Sequence, residues 1–169
     1  MSTGPKEEFE RFFKDNCGQL VGIAYLWCGD RQEALDLAQE TLTRTWEHWE
    51  AVSAHPNPEA WARRVLHNLC HSRWRRRKLE RSMAFPERIV NPGLPDVAEL
   101  DVARFVAQLA PNPRRALVLH DVVGLSVAEV ADEMVAREGT VRSWLSRSRE
   151  TIRRQMSAGE HESGYPADD

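Results

Sequence analysis

The sequence predicts an all-α fold in which two small helical domains are joined by a flexible linker. Three observations carry this. Apolar residues recur at three- and four-residue spacing along most of the chain, and no stretch alternates apolar and polar residues as a half-buried strand does. Between residues 83 and 97 the helical pattern stops, and Pro86, Pro92, Gly93 and Pro95 crowd one short segment. Helix-start signals punctuate both halves: Asp30 with Glu33, Asn57 with Pro58, and Ser126 with Glu129.

Residues 1–5 show no pattern and are expected to be disordered. The first helix spans Lys6 to about Cys28, with Phe9, Phe12, Phe13, Leu20, Ile23, Ala24 and Trp27 on one stripe. Gly18 and Gly22 each cost roughly 1 kcal/mol against alanine inside a helix, so a break near Cys17 is an open alternative. Asp30 caps a second helix, completed as a capping box by Glu33 and running to about Glu50. Its inward stripe is Ala34, Leu35, Ala38, Leu42, Trp46 and Trp49. Residues 51–57 read as a loop. Asn57 then caps a third helix with Pro58 at its first position, where a missing N–H costs nothing. Trp61, Ala62, Val65, Leu66 and Leu69 face inward, and Arg63, Arg64, His67, His71, Arg75 and Lys78 face outward.

Beyond the linker, Val102, Phe105, Val106 and Leu109 mark one helix. Asn112 and Pro113 start another, with Ala116, Leu117 and Leu119 inward and an end before Gly124. Ser126 and Glu129 open a short helix bearing Val127, Val130, Ala131 and Met134. A turn over residues 135–138 leads to a last helix with Val141, Leu145 and Ile152 inward and Arg142, Arg147, Arg149, Arg153 and Arg154 outward. That is a helix-turn-helix whose second helix carries the cations, a shape that fits the DNA major groove. Residues 157–169 read as a disordered tail.

Composition narrows the class. An apolar fraction of 41% suits a folded soluble chain. No apolar run approaches the ~20 residues of a membrane span, so membrane insertion is not expected. No secretion signal precedes the fold. Cys17, Cys28 and Cys70 match neither a metal ribbon nor a disulfide framework, and an odd count favours a reducing cytoplasm.

The net charge of -3 looks wrong for a nucleic-acid binder, but the charges are sorted. Arg63, Arg64, Arg73, Arg75, Arg76, Arg77, Lys78 and Arg81 crowd one segment, and residues 137–154 form a second basic block. Acid collects at Asp30, Glu33, Asp36, Glu40, Glu47 and Glu50, and again in the tail. The polar face of the second helix, Asp36, Gln39, Glu40 and Thr43, is either a solvated surface or a docking face for a basic partner, and spacing does not choose between them. Trp46, Trp49, Trp61 and Trp74 bracket the basic helix. Such aromatics with cations suit single-stranded DNA, although the first three also sit at core spacing. His67, Cys70 and His71 fall at i, i+3 and i+4, yet no second cluster completes a tetrahedral metal site. No phosphate-cradling glycine loop and no nucleophile motif is present. No metal, no cofactor and no catalysis are expected.

Three blocks carry a family likeness. The segment Asp36-Leu37-Ala38-Gln39-Glu40-Thr41, the stretch from Trp61 to Lys78, and the region from Leu109 to Arg149 occur in a fixed order over nearly all of residues 6–155. In these blocks the chain resembles the extracytoplasmic-function (ECF) sigma factors of bacterial RNA polymerase, in particular the small actinobacterial SigE-like group. The resemblance implies a region 2-like domain over 6–82, a linker over 83–97 and a region 4-like domain over 98–156. It implies that Asp36, Gln39, Glu40, Thr43 and Arg44 dock on the beta-prime clamp of core RNA polymerase. It implies that the 51–57 loop, Trp61, Arg64, His67 and Asn68 bind the unwound −10 element, with Arg73, Arg75, Arg76, Arg77 and Lys78 on phosphates. Arg137, Glu138, Thr140, Arg142, Ser143, Ser146 and Arg147 are then expected to read duplex DNA at the −35 element. An anti-sigma factor is a further implied partner. Ser72 stands where the family usually has an acid, and Val135 where the turn commonly has glycine. Trp144, Ser146 and Ser148 also depart from the commoner choices. A β-branched residue resists the left-handed conformation, so the turn at Val135 is expected to be built differently. Two other readings are a stand-alone helix-turn-helix regulator that binds duplex DNA and a metal-dependent helical protein using His67, Cys70 and His71.

Overall fold

The computed structural model describes residues 4–81 and 97–162. The proline-rich segment read as a linker and the last residues of the tail lie outside the described residues. The chain divides into two compact units between Pro95 and Asp96, and the regular elements among the described residues are helical.

The first unit comprises α1 (Pro5–Cys28), α2 (Arg31–Glu47), α3 (Trp49–Ser53) and α4 (Pro58–Arg81). α1 runs unbroken. Gly18 and Gly22 lie in open space, where an added Cβ would meet nothing, so they cost only helix propensity. Burial of Phe12, Leu20, Ile23, Ala24 and Trp27 offsets that cost. The helix ends at Gly29, whose left-handed φ of 76° lets its N–H donate to the Tyr25 carbonyl.

α2 packs against both α1 and α4, which also touch each other, and this widens its buried face beyond the stripe read from the sequence. Ala34, Leu37, Ala38, Thr41, Leu42 and Thr45 are buried. Thr41 and Thr45 can be core residues because their hydroxyls donate to the Leu37 and Thr41 carbonyls at 2.8 Å. Leu35 and Trp46, expected inside, are 42% and 46% exposed. The capping box is also half made. Asp30 Oδ1 accepts from the Glu33 N–H at 2.7 Å, but the Glu33 carboxylate is buried against Arg77 instead of reaching back.

α2 stops at Glu47 rather than near Glu50. His48 leaves the helical region (φ −114°, ψ 18°) with its ring Nδ1 2.9 Å from the Arg44 carbonyl. α3 then takes in the first three residues of the expected loop, 51–53. Asn57 caps α4 through the Ala60 N–H at 2.9 Å, with Pro58 first, as the sequence implied. On α4, Ala62, Leu66 and Leu69 are buried, whereas Trp61 and Val65 are only half-buried. Arg63, expected outside, is buried.

The second unit comprises α5 (Val97–Ala107), α6 (Pro111–Leu117) with a π-turn over Val118–Val122, α7 (Val127–Met134) and α8 (Glu138–Glu162). α6 starts at Pro111, ahead of the expected Asn112, and its N-cap Ala110 offers no side-chain acceptor. Arg114 donates to the carbonyls of Ala107 and, at 3.0 Å, Leu109, tying off the end of α5. Ala116, Leu117, Val118 and Leu119 form the core with Val130, Ala131, Val141 and Leu145. The Ser126–Glu129 capping box is complete, at 3.2 and 2.7 Å. Val135 does adopt the left-handed conformation (φ 52°, ψ 50°) that its branching disfavours. Backbone bonds from Val135 to Asp132 and from Ala136 to Ala131 hold it there. α8 continues to Glu162, through the start of the expected tail.

Candidate functional site

The residues singled out in the sequence map to three surfaces, two on the first unit and one on the second. On α2, Asp36, Gln39, Thr43 and Arg44 are exposed and Glu40 is half-buried. Gln39 and Thr43 also line a trough between α1 and α2 whose other walls include Phe9, Phe13, Val21, Leu35, Leu42 and Trp46. Its volume of about 530 Å³ is room for several side chains rather than a water. Sequence reading assigned Leu35 and Trp46 to the core. The available signal was the width of the apolar arc: Leu35 and Trp46 flank the buried stripe on the side of Leu42 and Gln39.

Glu40 is not a free carboxylate. Its Oε1 accepts from Arg44 at 2.7 Å and its Oε2 from Arg73, on α4, at 3.5 Å. Arg77 pairs with the buried Glu33. Two of the five cations expected on phosphates therefore bridge α4 to α2. Their register explains this: 66, 69, 73 and 77 continue the buried stripe of α4, so Arg73 and Arg77 point at the acidic helix.

The opposite side of α4 is open. Arg64, Asn68, Arg75, Arg76 and Lys78 are exposed, with Trp61 half-buried near His48 at a ring separation of 6.0 Å. His67 packs on Trp27 (5.8 Å) and on His71 (6.0 Å). His71 stacks on Trp74 (6.3 Å), and the Lys78 ammonium sits 5.2 Å over the Trp74 ring. The two histidines thus serve an aromatic ladder, and among the described residues no group of three or more His, Cys, Asp or Glu is placed to hold a metal. Burial pushes the Cys28 thiol above its ordinary value, so it is a poor thiolate nucleophile.

In the second unit, Glu138, Thr140, Arg142, Ser143, Ser146 and Arg147 are exposed on the first turns of α8, and Arg137 is exposed in the turn just before it. Glu138 and Arg142 pair with each other at 2.7 Å, an i,i+4 contact weak enough to exchange for a base edge. Arg149 is held by Asp121 at 2.7 Å. α8 keeps this face outward because Val141 and Leu145 are buried behind it. Ser148 is buried too, and its hydroxyl has no hydrogen-bond partner among the described residues.

Comparison with known proteins matches this layout. Residues 12–80 match the Sigma-70 region 2 family and residues 99–152 the Sigma-70 region 4 family. The chain is 30% identical over 156 residues to the RNA polymerase sigma-E factor of Streptomyces coelicolor, covering 89% of this chain and 87% of that protein. It is 29% identical to the sigma-E factor of Streptomyces avermitilis, covering 94% and 90%. Among solved structures, it superposes on the sigma factor RpoE of Bartonella quintana, determined with the anti-sigma factor NepR. The TM-score is 0.76 at 23% identity, over 89% of this chain and 98% of that one. CnrH, determined with the cytosolic domain of CnrY, gives a TM-score of 0.66 at 19% identity, over 90% of each chain. This chain belongs to the ECF RNA polymerase sigma factors.

Proposed function

We propose a division of labour among the three surfaces of this sigma factor. The α2 face docks on core RNA polymerase at the beta-prime clamp through Asp36, Gln39, Thr43 and Arg44, with the Leu35–Trp46 trough supplying the apolar part. An isolated charged face gains little in water, because exposed pairs contribute only about 0–1 kcal/mol each. Leu35 and Trp46 are each already more than half buried, so covering what remains adds on the order of 1 kcal/mol apiece, and the exposed apolar walls beside them add to that, which makes the trough the stronger half of such an interface. The open stripe of α4 (Trp61, Arg64, His67, Asn68, Arg75, Arg76 and Lys78) together with the 54–57 loop takes the separated −10 strand. Extruding a base there stabilises the open duplex. Arg137, Glu138, Thr140, Arg142, Ser143, Ser146 and Arg147 lie in the major groove at −35. Glu40, Arg73 and Arg77 hold α2 and α4 together rather than contacting either partner first. The factor adds no chemistry of its own to the polymerase, and an anti-sigma factor is its counterpart in the off state, competing for the same exposed faces.

The observation that carries this reading is the exposed apolar–polar trough beside a separate cationic stripe in one domain. A stand-alone regulator needs neither the acidic helix nor the tryptophan-flanked loop. The test is run-off transcription with core polymerase on a genomic fragment library, paired with a pull-down. Wild type is expected to direct initiation at defined starts. Trp46→Ala with Leu35→Ser is expected to retain its helical spectrum and lose polymerase affinity by roughly tenfold or more. Unimpaired assembly of that variant removes the trough from the interface.

A further inference from the structure

Trp74 is half exposed, at 48%, and the surfaces described above leave it without a role. It is the outermost ring of a ladder on α4: Trp27, His67, His71 and Trp74, with Lys78 over the last ring. Helical spacing decides what lies beside it. Residues 64, 68, 71, 75 and 78 fall on one line at four- and three-residue steps, and residues 67, 71, 74 and 78 on the adjacent line. The two lines share His71 and Lys78. Trp74 therefore flanks the stripe of Arg64, Asn68 and Arg75, and the exposed Arg75 and Lys78 are within one turn of it.

A large ring left half in water, stacked on one neighbouring ring in a run of aromatic contacts and bordered by exposed cations, fits one ligand chemistry best: an unpaired nucleotide, base on the indole and phosphate on the neighbouring charges. We infer that Trp74 is a stacking platform for an unpaired base of the DNA strand carried along α4, adding a site beyond the Trp61–Asn68 end of the helix. The rise of 1.5 Å per residue sets Trp74 about 9 Å beyond Asn68, a nucleotide or two further along an extended strand. Magnitudes favour the exchange this requires. An exposed cation over a ring is worth a factor of about two to five. A base stacked on an aromatic side chain is worth roughly five- to a hundredfold. The displaced Lys78 ammonium also gains a phosphate.

This inference rests on the reading of α4 as the strand-binding helix, and its test is independent of polymerase. The full chain is titrated with a 12-nucleotide oligothymidylate and with a 12-unit abasic deoxyribose-phosphate chain, while the indole N–H resonances of its six tryptophans are followed by NMR. Trp74→Phe assigns the relevant signal. That signal is expected to move with the oligonucleotide and to stay with the abasic chain. Trp74→Phe should keep most of the affinity, whereas Trp74→Leu, which keeps apolar area without a π-face, should lose roughly tenfold. Equal movement with the abasic chain would mean an anion site only and overturns the inference, as does an unmoved Trp74 signal with either ligand or equal affinity of the Leu and Phe variants. Failure of the sigma-factor reading itself would instead show as wild-type protein that never directs initiation.

Discussion

At the scale of single residues, two positions in the second unit work against the fold that contains them. Val135 has φ 52° and is 86% exposed, so its branching opposes the conformation while its side chain packs on nothing. Left-handed backbone costs roughly 1–2 kcal/mol for a residue with a Cβ, and glycine gives back part of that gain through the freedom of the unfolded chain. Val135→Gly should therefore stabilise the second unit by about 1 kcal/mol, read as a higher urea midpoint at unchanged m-value. Ser148 is a separate case. Its hydroxyl is buried and finds no partner among the described residues, and such a group costs about 1–3 kcal/mol. Ser148→Ala should raise the melting temperature of the unit by several degrees. A fall would mean that the hydroxyl finds an acceptor in solution.

At the scale of elements, the ties between α2 and α4 differ in strength. Glu40 is shared by Arg44 and Arg73 on a surface more than a third exposed, so each pair is worth no more than about 1 kcal/mol. Glu33 is largely buried, and Arg77 is its partner. Arg77→Ala should destabilise the first unit by about 2 kcal/mol, because it strands a desolvated carboxylate. Adding Glu33→Gln should recover much of the loss in the same chemical-denaturation assay. These ties also mark what was legible in the sequence. Caps and stripes placed the helices, since Asn57 with Pro58 and Ser126 with Glu129 act within four residues. The buried face of α2 was not legible, because a helix packed against two neighbours buries an arc wider than one stripe, and buried threonines that bond to their own helix look polar in one-letter code. The roles of Arg73 and Arg77 were hidden for a related reason. Charge density along the chain is visible, but the side of the helix on which a cation emerges depends on the register of packing. The exposed face of α8 was legible because two buried residues, Val141 and Leu145, suffice to orient it.

At the scale of the whole molecule, the mild net acidity of the chain conceals cations with different duties. Arg75 and Arg76 are exposed, so Arg75→Ala with Arg76→Ala should leave thermal stability unchanged. The log–log salt slope of promoter binding should flatten by roughly 1 for each phosphate that is no longer neutralised. Binding measured by fluorescence anisotropy from low to moderate salt checks this, and an unchanged slope removes both from the phosphate path. Arg73 and Arg77, by contrast, are anchored to carboxylates of the same fold. On the proposed reading of α4, raising ionic strength should therefore act twice on the first unit: it competes for the DNA phosphates, and it loosens the partly exposed Arg73–Glu40 tie between α4 and α2. The number of neutralised phosphates inferred from a salt titration of the intact protein should for that reason come out too large, and the excess should shrink in an Arg73→Gln background, where that tie no longer responds to salt.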